Sequence, residues 1–143
     1  MIEVRPLADD EVERVCARLP VSRLGKPGGT YLVAWQHGEP VGHAHLDRRA
    51  DPPELQDVYV AEAFRRRGIA TALTAAAESA VAADGRRALA LTVGHRDAAA
   101  IALYERLGYR RTADSPQRVR GTVRIRTGPL EVDDVLVRYE KRL

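Results

Sequence analysis

Arg65, Arg66 and Arg67 run straight into Gly68, and an alanine-rich helical pattern begins at once in "AFRRRGIATAL", residues 63–73. Cations are disfavoured at the start of a helix, where unpaired backbone N–H groups already make the local field positive. The arrangement becomes favourable when something negative sits between the guanidinium groups and the helix. A strand that feeds a glycine-containing turn into a helix presents free backbone N–H groups to an anion. Gly68 removes the side chain where a ligand would come close, and Ala70 keeps the first turn small. A bound polyphosphate would resolve the conflict; a solvated run of surface charge is the plain alternative. No lysine followed by Ser or Thr comes after Gly68, so nucleoside triphosphate hydrolysis is unsupported. No G-x-G-x-x-G run is present either, so a dinucleotide fold is unsupported.

Other side chains offer less. His43 and His45 share one face of "VGHAHL", yet no Cys or further His follows at a ligand spacing, so no metal site is expected. These histidines point the same way, towards a ligand cleft if the fold has one or towards solvent, where one could relay a proton. His95 follows a strand and lies near a ligand or only in a loop. Cys16, the single cysteine, excludes an intramolecular disulfide and reads as a small buried hydrophobe in a reducing, cytoplasmic setting. In "RVRGTVRIR", Arg118, Arg120, Arg124 and Arg126 share one parity. Such a face could bind phosphates, or be the solvated side of an edge strand where charge blocks aggregation. Few aromatics (5%) and a net charge of only +3 weigh against a nucleic-acid partner. No stretch is apolar enough to span a bilayer, and the amino terminus does not read as a signal peptide.

These residues need elements to position them. With 143 residues, 45% of them hydrophobic and 30% charged, the chain is expected to form one domain over residues 1–143. "IEVRP" alternates like a short strand and "LADDEVERVCARL" like an amphipathic helix. "GKPGG" is a loop, "TYLVAWQ" and "VGHAHL" pair through the turn "HGEP", and "ELQDVYV" is the next strand. The helix after Gly68 carries the stripe Ile69, Leu73, Ala76 or Ala77, Ala80 and Val81, and stops near Asp84-Gly85. "RALALTV" reads as a strand buried on both faces. Asp97 caps the helix "AAAIALYERL", which Gly108 ends; "YRRTA" is a short strand, and the tail from residue 118 forms a hairpin or edge strands. The order describes a mixed α/β sheet covered by helices.

Two segments now stand in sequence. R-x-x-G-x-A occurs as Arg65-Arg66-Arg67-Gly68-Ile69-Ala70. About thirty residues on, D-x-x-A-x-x-L-Y-x-x-x-G-Y runs from Asp97 through Tyr104 to Tyr109. Together they resemble the signature segments of the GCN5-related N-acetyltransferase (GNAT) superfamily over roughly residues 30–113. The resemblance implies an α+β fold with a mostly antiparallel sheet of six to seven strands, splayed at a cleft for acetyl-CoA and flanked by about four helices. By position, Val58 and Val60 would pair with the pantetheine arm through their main chains. The N–H groups of Arg66 to Thr71 (Arg66, Arg67, Gly68, Ile69, Ala70, Thr71) would hold the pyrophosphate, with the arginine side chains, including Arg65, flanking the phosphates.

Tyr104 matches the family's general acid for the departing thiolate, although it also shares a core stripe with Ala100, Ile101 and Leu107. Asp97 stands where the family usually has Asn, as cofactor contact or simple helix cap. Some relatives carry a Glu where Thr92 stands here. Glu54 matches the base position of others, ahead of water alone and of Asp57. Asp47, Asp51, Glu54, Glu131, Asp133 and Asp134 fall in acceptor-forming regions and tilt the reading towards a cationic small-molecule amine. A protein N-terminus or lysine, and a non-catalytic acyl-CoA-binding module, are the competing readings. The charged tail is the edge a homodimer would use.

Overall fold

The computed structural model describes residues 1–125 and 128–143, without the side chains of 123–125 and 130. One mixed sheet runs through it in the order β1-β2-β3-β4-β5-β8-β6, with β7 paired to β8. Strand β1 (Ile2–Pro6) lies antiparallel to β2 (Gly29–Gln36), which turns back through His37-Gly38 into β3 (Glu39–Asp47). β4 (Glu54–Val60) continues the antiparallel run. β5 (Ala88–Gly94) then joins parallel to β4 and antiparallel to β8 (Gly128–Arg142) on its other side.

The sheet is covered on both faces. On one lie α2 (Ile69–Ala83) and α3 (Ala98–Arg106), whose Ile69, Leu73, Ala77, Val81 and Tyr104 join Leu32, Ala44, Leu46, Leu89, Leu91 and Tyr109 in the main core. On the other, α1 (Val12–Arg18) places Val15 against Tyr31, Val33 and Trp35, with Leu19 and Val21 just beyond it. The alternation of β2 decides this division: Leu32 and Ala34 face one layer, Tyr31, Val33 and Trp35 the other.

Helix α2 is closed as its sequence implies. Gly85 takes a φ of 78° just past the Asp84 cap; its N–H bonds the Ala82 carbonyl at 3.0 Å, and the Arg86 N–H reaches Val81 at 2.9 Å. That is the Schellman closure, which places a residue without Cβ in the left-handed position. Asp97 caps α3 by accepting from the Ala100 N–H at 3.1 Å.

Some counts differ from expectation. The described residues hold three α-helices, together with single 3₁₀ turns at Asp9–Glu11 and Glu62–Phe64. Pro20, Gly25, Pro27 and Gly28 keep residues 20–28 out of helix, since proline removes a donor and glycine favours the unfolded chain. The first helix is shorter than its periodicity suggests, because its opening residues form one of those 3₁₀ turns. The sheet has eight strands rather than six or seven: the two-residue β6 (Arg110–Arg111) and β7 (Gln117–Ile125) both pair with the fifteen-residue β8. The tail is the anticipated hairpin. Its basic face is partly neutralised, since Arg118 and Arg120 lie 3.1 and 3.8 Å from Asp133. Arg126 lies outside the described residues, as does the side chain of Arg124.

Candidate functional site

The parallel pairing of β4 with β5 lasts for two residues, Glu54 opposite Ala90 and Leu55 opposite Leu91. Beyond Leu55 the strands diverge. The cause is local to β4: Asp57 has a φ of 53°, and the register with β3 shifts between His43 and His45. A bulge bends its strand and sharpens the twist, which swings β4 away from β5. The wedge so opened is a cleft of about 320 Å³, walled by Gln56, Asp57 and Val58 on one strand and Thr92, Val93 and Gly94 on the other. Glu54 stands at its closed end, and Asp97, Ala100 and Tyr104 line it from α3.

A larger groove of about 630 Å³ runs between the start of α2 and α3, lined by Val60, Arg65, Arg66, Gly68, Ile69, Ala70 and Thr71, and by Asp97 and Ala100 from the other side. The two cavities share Asp97 and Ala100, so together they form one path from the α2 terminus to Tyr104. The first intrahelical bond of α2 runs from the Ala72 N–H to the Gly68 carbonyl at 3.0 Å. The amides of Ile69, Ala70 and Thr71 therefore have no acceptor within the helix. Arg66 and Gly68 both take positive φ, 65° and 78°, which turns neighbouring N–H groups into a shared concavity. A Cβ built on Gly68 meets nothing within 4 Å, so the glycine leaves open space at the mouth of this cradle. These features fit a pyrophosphate.

The arginines divide the work unevenly. Arg65 donates to the Val60 carbonyl at 2.9 Å and lies over the Tyr59 ring, while remaining on the groove wall. Arg66 also lines the groove. Arg67 does not; its guanidinium lies 5.3 Å from the Phe64 ring centroid.

Tyr104 is 6% exposed and meets Tyr109 edge-on at 5.8 Å. Burial pushes its phenol up to about 12, helped by the Asp97 charge and opposed by the Thr74 hydroxyl beside it. Thr74 itself donates to the Ala70 carbonyl at 2.8 Å. At neutral pH Tyr104 thus carries its proton into the cleft. Thr74 had no role assigned from sequence; its only signal was a polar residue adjoining the apolar stripe of α2.

Two carboxylates reach the cleft from β4. Glu54 is held by Arg138 at 3.7 Å and accepts from Gln56 at 3.4 Å. Asp57 accepts from the Tyr31 hydroxyl at 2.8 Å, with His43 Nδ1 3.8 Å away. Tyr31 is raised to about 12, first by burial and then by Asp57, so it remains a donor. His43 is fully buried, and burial lowers it despite Asp57. His45 is lowered for the same reason and contacts Gln56 at 3.1 Å. Tyr31 gave only one hint in the sequence, its place on the strand facing the histidines.

The other anticipated acids stand elsewhere. Asp47 closes its own turn, Asp51 pairs with Arg86 and Asp133 with Arg118, and Glu131 accepts from Thr122. None of them lines the cleft. His95 lies 3.7 Å from Asp134 at a separate surface depression, and Cys16 packs half-buried against the α1 cluster. No group of three or more metal-binding side chains is arranged around a common point among the described residues.

A splayed strand pair thus leads to the unbonded amides at the start of α2. Residues 3–109 match the model of the Acetyltransferase (GNAT) family. The chain belongs to this family. It is 37% identical over 119 residues to a mycothiol acetyltransferase of Nocardia farcinica, covering 82% of this chain and 38% of that protein. The chain spans 38% of the length of the curated relatives it matches. Among solved structures, it is similar to a ribosomal-protein-S18-alanine N-acetyltransferase of Escherichia coli (TM-score 0.77, 20% identity, 99% of this chain and 94% of that one). It is likewise similar to a GNAT acetyltransferase of Elizabethkingia anophelis with acetyl-CoA bound (TM-score 0.68, 18% identity, 99% and 98%). At these identities the structural likeness speaks for the fold. No helix among the described residues is long and apolar enough to cross a membrane.

Proposed function

We propose that this GNAT member binds acetyl-CoA and transfers its acetyl group directly to the primary amine of a small molecule. The observation that carries the reading is the continuous path from the α2 amide cradle, past the unpaired edge of β4, to the buried phenol of Tyr104. Acetyl-CoA supplies a thioester carbonyl that a neutral amine can attack. The residues of the chain do the rest.

The amides of residues 66–71 hold the pyrophosphate, with Arg65 and Arg66 beside it. The β4 edge at Val58 and Val60 has lost its strand partner and takes the pantetheine amides by β-pairing. Tyr104 donates its O–H to the sulfur as the C–S bond breaks. A thiol titrates near ~8.5, so complete proton transfer from a phenol at about 12 is uphill by roughly 5 kcal/mol at rest. Hydrogen-bond donation to the developing thiolate is the larger part of its role.

The amine must lose a proton before it attacks, and two carboxylates stand within the cleft. Asp57 is held by a neutral phenol, while Glu54 already faces Arg138. We assign the ammonium to Asp57 and keep Glu54, at the closed end, as the second proton acceptor. Acetyl-CoA titrated calorimetrically into the protein, with CoA and ADP as controls, tests the cofactor. Micromolar binding weakened by Arg66→Glu supports it, and no heat from any of the three overturns it.

A further inference from the structure

The cleft beside Tyr104 does not end at Asp57. A second cavity of about 280 Å³ opens towards α1, and its walls include Leu7, Val12, Thr30, Tyr31 and His45. One side chain borders both cavities: Arg23. The residue is half-buried, and its Nε is out of solvent with no hydrogen-bond partner. No carboxylate among the described residues lies within ion-pairing distance of it, although eight other arginines have such a partner. A half-buried cation with neither counter-ion nor full hydration is costly to keep.

The position of Arg23 is fixed by the hydroxyl that also fixes Asp57. Tyr31 accepts from the Ser22 and Arg23 N–H groups at 3.1 and 2.9 Å and donates to Asp57 at 2.8 Å. A carboxylate and a cation are thus tethered to one buried phenol without pairing to each other. The remaining charged groups at the second cavity are Lys26 and Asp9, with His45 held towards its neutral form by burial. The balance on that side is cationic, whereas the cleft side carries Glu54, Asp57 and Asp97.

We infer that the acceptor is a small zwitterion whose primary amine sits at Asp57 and whose anionic group, a carboxylate or a phosphate, sits on Arg23. The inference rests on the acetyltransferase reading, because the amine end is the one that faces the cleft. It makes Arg23 the specificity residue and Tyr31 the residue that sets the spacing between the two charged ends. A ligand lacking the anion would leave the guanidinium unpaired, and so would be rejected.

The test is calorimetric binding to the CoA-saturated protein. Glycine, β-alanine, γ-aminobutyrate and O-phosphoethanolamine are titrated beside counterparts that keep the amine but lack the anionic group, the three amides and ethanolamine. At least one anionic probe should bind tighter than its counterpart by about tenfold or more, the usual worth of a charge-assisted hydrogen bond. Whether a carboxylate or the phosphate shows the preference identifies the anion. Arg23→Gln should bring that probe's affinity down to that of its counterpart, and Arg23→Lys should keep part of the preference. No anionic probe exceeding its counterpart, or a preference that survives Arg23→Gln, overturns the inference. The wild-type comparison stands even if the variants fold poorly. CoA binding without an anion preference sinks the zwitterion alone. An anion preference in protein that binds no CoA keeps the Arg23 site and sinks the acetyltransferase reading, and absence of both sinks both.

Discussion

Tyr104→Phe isolates one hydroxyl. The ring keeps its edge contact with Tyr109 at 5.8 Å, and the Thr74 hydroxyl keeps its bond to the Ala70 carbonyl at 2.8 Å. No backbone group depends on the lost oxygen among the hydrogen bonds of the described residues, so the fold should lose less than about 1 kcal/mol. The cost falls on the reaction. A donor aimed at charge that develops in a water-poor site is worth about 1.5–3 kcal/mol, which corresponds to a fall in kcat of roughly 10- to 150-fold. Acetyl-CoA affinity should change by less than about twofold, because the phosphate cradle and the β4 edge are untouched.

Burial with Asp97 holds the phenol at about 12, so its ionisation should not shape the pH profile of the wild type below about pH 11. The assay is thiol release at saturating acetyl-CoA, using the acceptor that binds best among the amino-acid and phosphoethanolamine probes. Calorimetry supplies the affinity. A variant with kcat within twofold of the wild type at full cofactor binding would refute the donor role. So would lost cofactor binding with unchanged turnover per bound enzyme.

Gly68→Asn tests the cradle: Asn tolerates left-handed backbone, and a Cβ there meets nothing within 4 Å. Thermal stability should hold while acetyl-CoA binding weakens about tenfold; unchanged affinity would remove the glycine from the argument. Asp57→Asn should raise the KM of the amine more than Glu54→Gln does, and steady-state kinetics showing the reverse order would move the amine to the closed end. Burial lowers His43 below its unfolded value near ~6.5, so the unfolded chain takes up more protons there as the pH falls. Stability from this group is full above about pH 6.5 and is lost progressively below it. His43→Phe keeps a ring against Tyr59 and should make the fall in Tm between pH 7 and 5 shallower; an unchanged slope would place the titration elsewhere.

Much of the scaffold was legible because local chemistry and tertiary packing agree there. The stripe of α2, the Asp84-Gly85 stop and the Asp97 cap each depend on residues a few positions apart, whereas β5, expected to be buried on both faces, buries Leu89, Ala90, Leu91 and Val93 but exposes Thr92 where the strands part. The amide cradle was visible for the same reason, as a conflict between Arg65–Arg67 and the helix start that follows. What the sequence hid depends on distant pairs. Arg67 has the composition of its neighbours, and only the place of Phe64 shows that it leaves the groove. The bulge at Asp57 is a positive φ at a residue with no sequence mark. Of the carboxylates expected at the acceptor only Glu54 lines the cleft, and Asp51, Asp133 and Asp47 are spent on Arg86, Arg118 and a local turn, whereas Arg23, in a loop of prolines and glycines, comes to the cleft through Tyr31. Charge in a sequence is countable, but pairing is a property of the fold.

The most direct test of the account is a crystal structure of the protein with acetyl-CoA. The pyrophosphate should lie on the amides of residues 66–71, the pantetheine arm along Val58 and Val60, and the sulfur within roughly 3–3.5 Å of the Tyr104 hydroxyl. A cofactor bound away from the β4–β5 wedge, or a sulfur out of reach of Tyr104, would contradict it.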